Sequence, residues 1–263
     1  MLILAAVPLN RLQRLRAADP ERYELLPLAT WGEMIETIRL RPVEMAVVDP
    51  LWGEHPRVRE VERLRLLFPS LPLLIYTSLE PETAGVLLDL GRVGIRRVIF
   101  ARFDDSPAAL RLTLRRELEE TASRKVVVTL MALLEGLPPQ LRWAVESMLY
   151  APADTVTVSA LADRAQLERR TCERWFARSG LPSPRAILIL ARTLYAHRLL
   201  MDPGYTVDDV AAKLGYRKAR SLQVHLKEVF GYTAGELRIS LTPEEALQIV
   251  TKRYFPRFSK VAS

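Results

Sequence analysis

The sequence of 263 residues is poor in the side chains that build disulfides and metal sites, with one cysteine, Cys172, and three histidines. A single thiol can form neither an intramolecular disulfide framework nor a multi-thiolate zinc site. The histidines, His55, His197 and His225, lie too far apart in sequence to show metal-ligand spacing. We therefore expect no metal site, and we assign Cys172 to the apolar core of its helix.

Long apolar runs and enzyme motifs are also missing. No apolar run approaches the ~18 residues of a membrane-spanning helix, and the segment Met1–Pro8 lacks the positive charge that opens a secretory signal. The sequence has no glycine-rich phosphate loop and no nucleophile–base pair, so we expect no catalytic residue, no enzyme activity and no cofactor. We expect a protein of the reducing cytoplasm with no membrane partner.

Basic residues exceed acidic ones, and the excess is confined to the second half of the chain. Lys and Arg number 38 and Asp and Glu 31, which gives a net charge of +7. Residues 1–123 hold 17 basic and 18 acidic side chains, whereas residues 124–263 hold 21 and 13. This division is typical of a nucleic-acid-binding module joined to another domain, although a basic surface that serves solubility gives the same balance.

The N-terminal half alternates short apolar runs with amphipathic segments, a pattern typical of buried parallel strands separated by helices. We predict five strands, at Leu2–Val7, Tyr23–Leu28, Met45–Val48, Leu71–Tyr76 and Arg97–Ala101. A helix follows the last strand, with Ser106 as N-cap and Pro107 as its first residue. Five such units in about 120 residues imply an α/β domain, a flavodoxin-like five-stranded parallel sheet, over residues 1–122.

The order and spacing of these units resemble a response-regulator receiver domain. The resemblance matches Asp49, at the end of the third strand, to the phospho-acceptor aspartate of receivers. It matches Thr77 or Ser78, after the fourth strand, to the switch hydroxyl. Both hydroxyls are also well suited to capping a loop.

The magnesium-binding part of a receiver is missing. Where receivers place an acidic pair, this sequence has Ala6–Leu9, and Ala101 or Arg102 replaces their lysine after the fifth strand. A lone carboxylate holds magnesium poorly, and phosphoryl transfer to Asp49 would lack its electrostatic stabilisation. We therefore predict a pseudo-receiver that is not phosphorylated. The alternative is a phosphorylation-dependent response regulator that uses Asp49.

The C-terminal half has the pattern of an all-α domain with two helix-turn-helix units. In each unit a short helix, a tight turn and a second helix closed by glycine follow one another, and a long helix connects the units. The predicted helices are Val158–Ala165, Arg169–Ser179, Pro184–Met201, Val207–Leu214 and Ala219–Val229. We divide this half into a linker at 123–138, a domain at 139–238 and a helical extension at 239–263. The alternatives for the linker segment are a sixth strand or a helix that continues from residue 121.

Residues 156–238 resemble the AraC/XylS-type DNA-binding domain. The resemblance rests mainly on Arg169–Phe176 in the first unit, and on Leu214–Tyr216 and Phe230–Thr233 in the second. The sequence departs from the family at Ala234, where proline is usual. The family places two recognition helices in successive major grooves of DNA, and the resemblance implies the same geometry here.

The resemblance also implies which side chains face DNA. The positions that match base-facing residues are Arg170, Glu173, Arg174, Ala219, Arg220, Gln223 and Val224. The candidates for phosphate contacts, which position a protein without reading sequence, are Arg178, Arg185, Lys218 and Lys227. For each charged residue the alternative is a solvated helix face.

These features predict a transcription regulator whose receiver-like half mediates dimerisation or receives a partner or signal. The expected partners are double-stranded DNA, a second copy of the chain, and RNA polymerase or another regulator. The other alternative is a protein-interaction adaptor with degenerate DNA binding. The extension includes a helix from Thr242 to about Lys252 and the apolar Phe255 and Phe258. We expect it to dock onto the chain, and the alternative is an oligomer contact.

Overall fold

The computed structural model describes residues 2–19, 21, 23–53, 55–119, 122–150, 152–155 and 157–256, and these form two compact units. Unit 1 comprises Met1–Thr121 with Asp202–Gly204, and unit 2 comprises Ala122–Met201 with Tyr205–Ser263. No helix among the described residues combines the length and the apolar character needed to cross a membrane.

Unit 1 contains a five-stranded sheet in which all neighbouring strands are parallel. The strands are β1 (Leu2–Ala6), β2 (Glu24–Pro27), β3 (Val43–Val48), β4 (Leu73–Thr77) and β5 (Val98–Phe100). Their order, β2-β1-β3-β4-β5, is that of the doubly wound flavodoxin-like sheet. The fold predicted for this half is confirmed, although β4 begins two residues later than predicted and β5 is shorter.

Five α-helices and one 3-10 helix accompany the sheet. They are α1 (Leu9–Ala18), the 3-10 helix Trp31–Glu33, α2 (Met34–Leu40), α3 (Val58–Leu67), α4 (Thr83–Arg92) and α5 (Pro107–Glu119). The core consists of apolar side chains such as Ile3, Met45 and Leu74 from the strands, packed with Leu15 of α1 and Leu110 of α5. Since both faces of the sheet are covered, its central strands read as continuous apolar runs.

Unit 2 is all-α. Its helices are α6 (Ala122–Leu133), α7 (Pro139–Tyr150), α8 (Val158–Arg164), α9 (Arg169–Arg178), α10 (Pro184–Leu200), α11 (Val207–Lys213), α12 (Ala219–Phe230), α13 (Ala234–Ser240) and α14 (Pro243–Tyr254). The long helix α10 contacts α6, α8, α9, α11, α12, α13 and α14. It therefore forms the centre of this unit.

The structure differs from the linker predicted at 123–138, because α6 occupies most of that segment. Val127, Leu130, Met131 and Leu134 are buried, and α6 packs against α7 and α10. These residues recur at helical spacing, so the segment contributes an apolar face to unit 2. From the sequence alone, the run of β-branched residues from Val126 was compatible with a strand, a helix or a connection.

The described part of the extension packs onto unit 2 through α14, the docked arrangement that we expected. Thr242 caps α14 through a capping box with Glu245, and Ala246, Val250 and Phe255 are buried. Since α14 contacts α10 and α12, these apolar side chains become part of the helical core. Phe258, assigned to the same apolar set, lies outside the described residues.

Candidate nucleic-acid interface and the Asp49 region

The first helix-turn-helix unit is formed by α8 and α9. Thr157 caps α8 by accepting a hydrogen bond from the Ala160 N–H at 3.1 Å. The turn requires a left-handed residue, and Gln166 adopts it with φ at +54°. The Leu167 N–H then donates to Ala162 O at 2.9 Å. This hydrogen bond closes the turn and fixes where α9 begins.

The second unit, α11 and α12, repeats this geometry. Thr206 and Asp209 form a capping box at the start of α11. Gly215 takes the left-handed position with φ at +71°, and the Tyr216 N–H donates to Ala211 O at 2.9 Å. Two turns with the same backbone hydrogen bond, at an offset of 49 residues, show that the units are repeats of one motif.

Helix α9 has one buried face and one exposed face. Cys172 and Phe176 are fully buried, which confirms the assignment of Cys172 to the core. The structure exposes Arg170, Arg174 and Arg178, which follow one another every four residues. That spacing places the three arginines along one side of the helix.

Glu173 differs from its neighbours, since it is half-buried and already has a partner. Its Oε1 accepts a hydrogen bond from Arg169 Nε at 2.9 Å. This is an exposed pair one helical turn apart, a class that contributes only about 0.3–0.5 kcal/mol. The carboxylate can therefore exchange Arg169 for another donor at little cost.

Helix α12 has the same division. Leu222, Leu226 and Val229 are buried, while the polar residues of the opposite face are exposed. The exposed predicted positions are Lys218, Arg220, Gln223, Val224 and Lys227, and Ala219 is half-buried. Val224 is an apolar member of this exposed face, with 47% of its surface accessible. All ten predicted DNA-facing residues of the two helices thus reach the surface to some degree.

Two residues near these helices carry no clear sequence signal. His225 is half-buried, and its Nδ1 lies 3.0 Å from the Tyr216 hydroxyl. Arg192, in α10, is nine-tenths buried with its guanidinium carbon 4.8 Å from the centre of the Tyr216 ring. The sequence does not distinguish Arg192 from the other arginines of α10, whose main pattern is an apolar stripe.

In unit 1 the structure places Asp49 at the carboxyl end of β3, where it is buried. Its Oδ1 accepts the Leu51 N–H at 3.0 Å, and its Oδ2 is paired with the guanidinium of Arg11 from α1. The same guanidinium donates to Tyr76 O at 3.0 Å and to Ser78 Oγ at 2.8 Å. Arg11 therefore links the ends of β3 and β4 through Asp49, the residue that the sequence resemblance matches to the phospho-acceptor of receivers.

Sequence reasoning missed Arg11, which follows the acidic-pair position by only a few residues. Its sequence neighbourhood carries no signal that pairs it with Asp49, because the two residues are 38 positions apart. Of the predicted switch hydroxyls, Ser78 bonds Arg11, and Thr77 is fully buried. Thr77 Oγ1 makes no hydrogen bond within the described part of the chain.

A second arginine from α1 engages the next acid along this edge. Arg14 Nη1 lies 3.2 Å from Asp105 Oδ1, and the Tyr76 hydroxyl donates to Asp105 Oδ2 at 2.7 Å. Burial of the phenol and its hydrogen bond to this carboxylate raise the pKa of Tyr76. Burial raises the pKa of Asp105, but the hydrogen bonds from the Tyr76 hydroxyl and the Arg102 N–H lower it. The net effect is a pKa below the ordinary value.

Comparison with known proteins identifies one domain. Residues 161–240 match the family model described as a helix-turn-helix domain, and no curated protein matches the chain. This match spans α8, from Leu161 onward, through α13. Both repeated turns lie within it.

Several solved structures are distantly similar. A pilus assembly-related protein from Burkholderia pseudomallei is 23% identical with a TM-score of 0.37, over 46% of this chain and 90% of that one. Full-length FixJ from B. japonicum is 13% identical with a TM-score of 0.38, over 86% and 95%. RcsB from Salmonella enterica serovar Typhimurium, bound to promoter rprA, is 14% identical with a TM-score of 0.35, over 71% and 96%.

At these identities and TM-scores, none of the three structures assigns a function to this chain. The family match and the two turns of equal geometry are independent of them. Residues 161–240 therefore form a helix-turn-helix domain with two repeats of the motif.

Proposed function

We propose that the protein is a sequence-specific regulator of transcription that binds double-stranded DNA with α9 and α12 in successive major grooves. The observation that carries this proposal is the repeat. Two equivalent turns each present a second helix whose inner face is buried and whose outer face is polar and exposed. A major groove admits one such helix, and two helices on one chain fit two grooves on the same side of the duplex.

The outer faces carry side chains suited to reading bases. Arg170 and Arg174 on α9, and Arg220 on α12, can bridge guanine O6 and N7. Gln223 can bridge adenine N6 and N7, and Val224 offers its exposed isopropyl group to a thymine methyl. Ala219 would add a second apolar contact, next to that of Val224.

The remaining charges take other roles. Glu173 can accept from cytosine N4 once it releases Arg169. Arg178, Lys218 and Lys227 lie on the same exposed faces, and we assign them to phosphates, which fix the register of the helices without specifying a base. The net charge of the second half supports this division, since phosphate contacts supply much of DNA affinity.

For unit 1 we propose an input role that does not use phosphorylation. Arg11 forms an ion pair with the carboxylate of Asp49, which would accept a phosphoryl group, and the acidic pair for magnesium is missing. Unit 1 would then act through protein contacts, either dimerisation of two chains or binding of RNA polymerase or another regulator. Two chains would bring four recognition helices to a repeated or palindromic site, and the work would take place in the cytoplasm, with the chromosome.

A selection experiment tests the proposed function. The full-length protein is used to enrich bound duplexes from fragmented genomic DNA, and the enriched sites are aligned. We expect a defined motif, lost by an Arg174→Ala/Gln223→Ala double variant and retained by Lys252→Ala, which removes an exposed charge of α14. Enrichment without a common motif, or no enrichment at moderate salt, would favour the adaptor role and contradict the proposal.

A further inference from the structure

Unit 2 contains a cleft of about 270 Å³ between its two helix-turn-helix motifs. The centre of the cleft is one side of α10, which contributes Arg185 and Arg192. The first motif contributes the start of α8, with Thr157, and Arg169 at the start of α9. The second motif contributes His225 from α12. The cleft therefore touches both motifs and the helix that connects them.

The cleft is strongly basic. Three arginines line it, and none of the described residues that line it carries a carboxylate. Arg169 has Glu173 as a partner, but the ion pairs found in the described part of the chain include neither Arg185 nor Arg192. Burial first, and then the charges of Arg192 and Arg185, lower the pKa of His225 despite the nearby Glu228.

Arg192 is the unusual member of this set. Its exposure is 9%, and its Nε donates to Leu188 O at 3.2 Å. Its guanidinium carbon lies over the Tyr216 ring, 4.8 Å from the ring centre, a cation–π contact. A buried guanidinium without a counter-charge carries a desolvation penalty, and an anion in the cleft would offset that penalty with charge-assisted hydrogen bonds.

We propose that this arginine-lined cleft binds a phosphate group of the DNA backbone, from the stretch of duplex between the two recognition helices. This inference rests on the proposed function. When two helices enter successive major grooves on one side of a duplex, the minor groove between them and its flanking phosphates face the segment that connects the helices. Here that segment is α10, and Arg185 and Arg192 lie on its side that lines the cleft.

A phosphate held at this point has a mechanical consequence. It touches elements of both motifs at once, so it fixes the register of α9 and α12 on DNA together. Because phosphates are the same at every base pair, the site raises affinity for all sequences and leaves the order of preference among them unchanged.

The test measures dissociation constants against salt concentration for the full-length protein, on a selected duplex and on the same duplex with scrambled sequence. The variants are Arg192→Met, Arg185→Met and, as a control, Lys252→Met. We expect each cleft variant to lose about tenfold in affinity on both duplexes, and to lower the slope of log affinity against log salt by about 1. The control should match the wild type in both quantities.

Folding is checked separately, since loss of the Arg192–Tyr216 contact can destabilise unit 2. Thermal unfolding followed by circular dichroism reports this for every variant. Arg185 avoids the problem because its side chain is exposed and makes no hydrogen bond or ion pair within the described part of the chain. Folded cleft variants with wild-type affinity and salt slope would overturn the inference. If the wild type binds no duplex at all, the proposed function itself fails.

Inorganic phosphate distinguishes the source of the anion. The wild type and Arg192→Met are heated with and without phosphate in the absence of DNA. Stabilisation of the wild type alone, together with unchanged DNA binding by both cleft variants, would make this a site for a free phosphorylated molecule and overturn the assignment to DNA. Loss of DNA affinity in the cleft variants supports the assignment, whether or not free phosphate stabilises the protein.

Discussion

The guanidinium of Arg11 is paired with the carboxylate of Asp49, and the two side chains are 9% and 4% exposed. The resemblance to receivers matches Asp49 to the aspartate that they phosphorylate beside a bound magnesium ion. Here a covalently attached cation from α1 takes that place, and Tyr76 O and Ser78 Oγ accept its remaining hydrogen bonds. A single guanidinium therefore connects Asp49 after β3 with Tyr76 and Ser78 at the end of β4.

The first prediction concerns the stability of unit 1. Arg11→Met should lower the free energy of unfolding by about 3–5 kcal/mol, because it leaves the Asp49 carboxylate buried without a counter-charge. Urea denaturation followed by circular dichroism measures the change. In the double variant Arg11→Met/Asp49→Asn the loss should be smaller, since the buried charge is gone. A single variant within about 1 kcal/mol of the wild type would show that the pair is not formed in solution.

The second prediction concerns phosphorylation. Incubation with acetyl phosphate and magnesium should leave the intact mass unchanged, because Arg11 occupies Asp49 and the magnesium ligands are missing. A receiver-containing response regulator treated in parallel provides the positive control. A gain of one phosphoryl group that maps to Asp49, and that Asp49→Asn abolishes, would show that the input is regulated by phosphorylation after all.

The third prediction separates base contacts from phosphate contacts on α9. Arg174→Ala should weaken binding by about 1–3 kcal/mol and relax the preference at one base position. Arg178→Ala should weaken binding to all sequences alike and lower the salt slope by about 1. Affinities for a panel of single-base variants of the selected site measure both effects. If Arg174→Ala weakened every site equally, Arg174 would be a phosphate contact instead.

The fourth prediction follows from the buried His197 in α10. Its ring Nε2 lies 3.1 Å from Leu241 O, and burial is the main reason that its pKa lies below the ordinary value of 6.5. The unfolded state therefore takes up a proton at higher pH than the folded state. Stability is fully present above pH 6.5 and is lost as the pH falls through the folded-state pKa.

Thermal unfolding measured between about pH 7.5 and 5.5 tests this sign. The wild type should unfold at lower temperature as the pH falls, and His197→Phe should show a flatter dependence. Some dependence should remain, because burial also lowers the pKa of His225. Equal pH dependence of the wild type and His197→Phe would mean that His197 titrates alike in the folded and unfolded states.

The fold was largely predictable because its signals are local. The apolar runs of β1 and β3 are continuous over four to six residues, and a parallel buried sheet requires that pattern. The two helix-turn-helix units could be predicted from residues typical of helix caps and turns, such as Thr206 and Gly215. The helix α6 could not be assigned from the sequence because its β-branched run fits a strand, a helix or a connection equally well.

The candidate sites were less predictable because they depend on distant pairs. Arg11 and Asp49 are 38 residues apart, and nothing in either neighbourhood reveals the other. Arg192 is a charge whose meaning depends on burial against Tyr216, from another helix. The exposed faces of α9 and α12 could be predicted because helical periodicity alone separates them from Phe176 and Leu226, which are buried.

The central claim is that both helix-turn-helix motifs of one chain bind the same side of the DNA duplex. Hydroxyl-radical footprinting of the full-length protein on a selected site tests it most directly. We predict protected patches centred about one helical turn apart, roughly 10 base pairs, with protection of the intervening backbone reduced in Arg192→Met. Protection confined to a single groove, or no protection at moderate salt, would contradict the account.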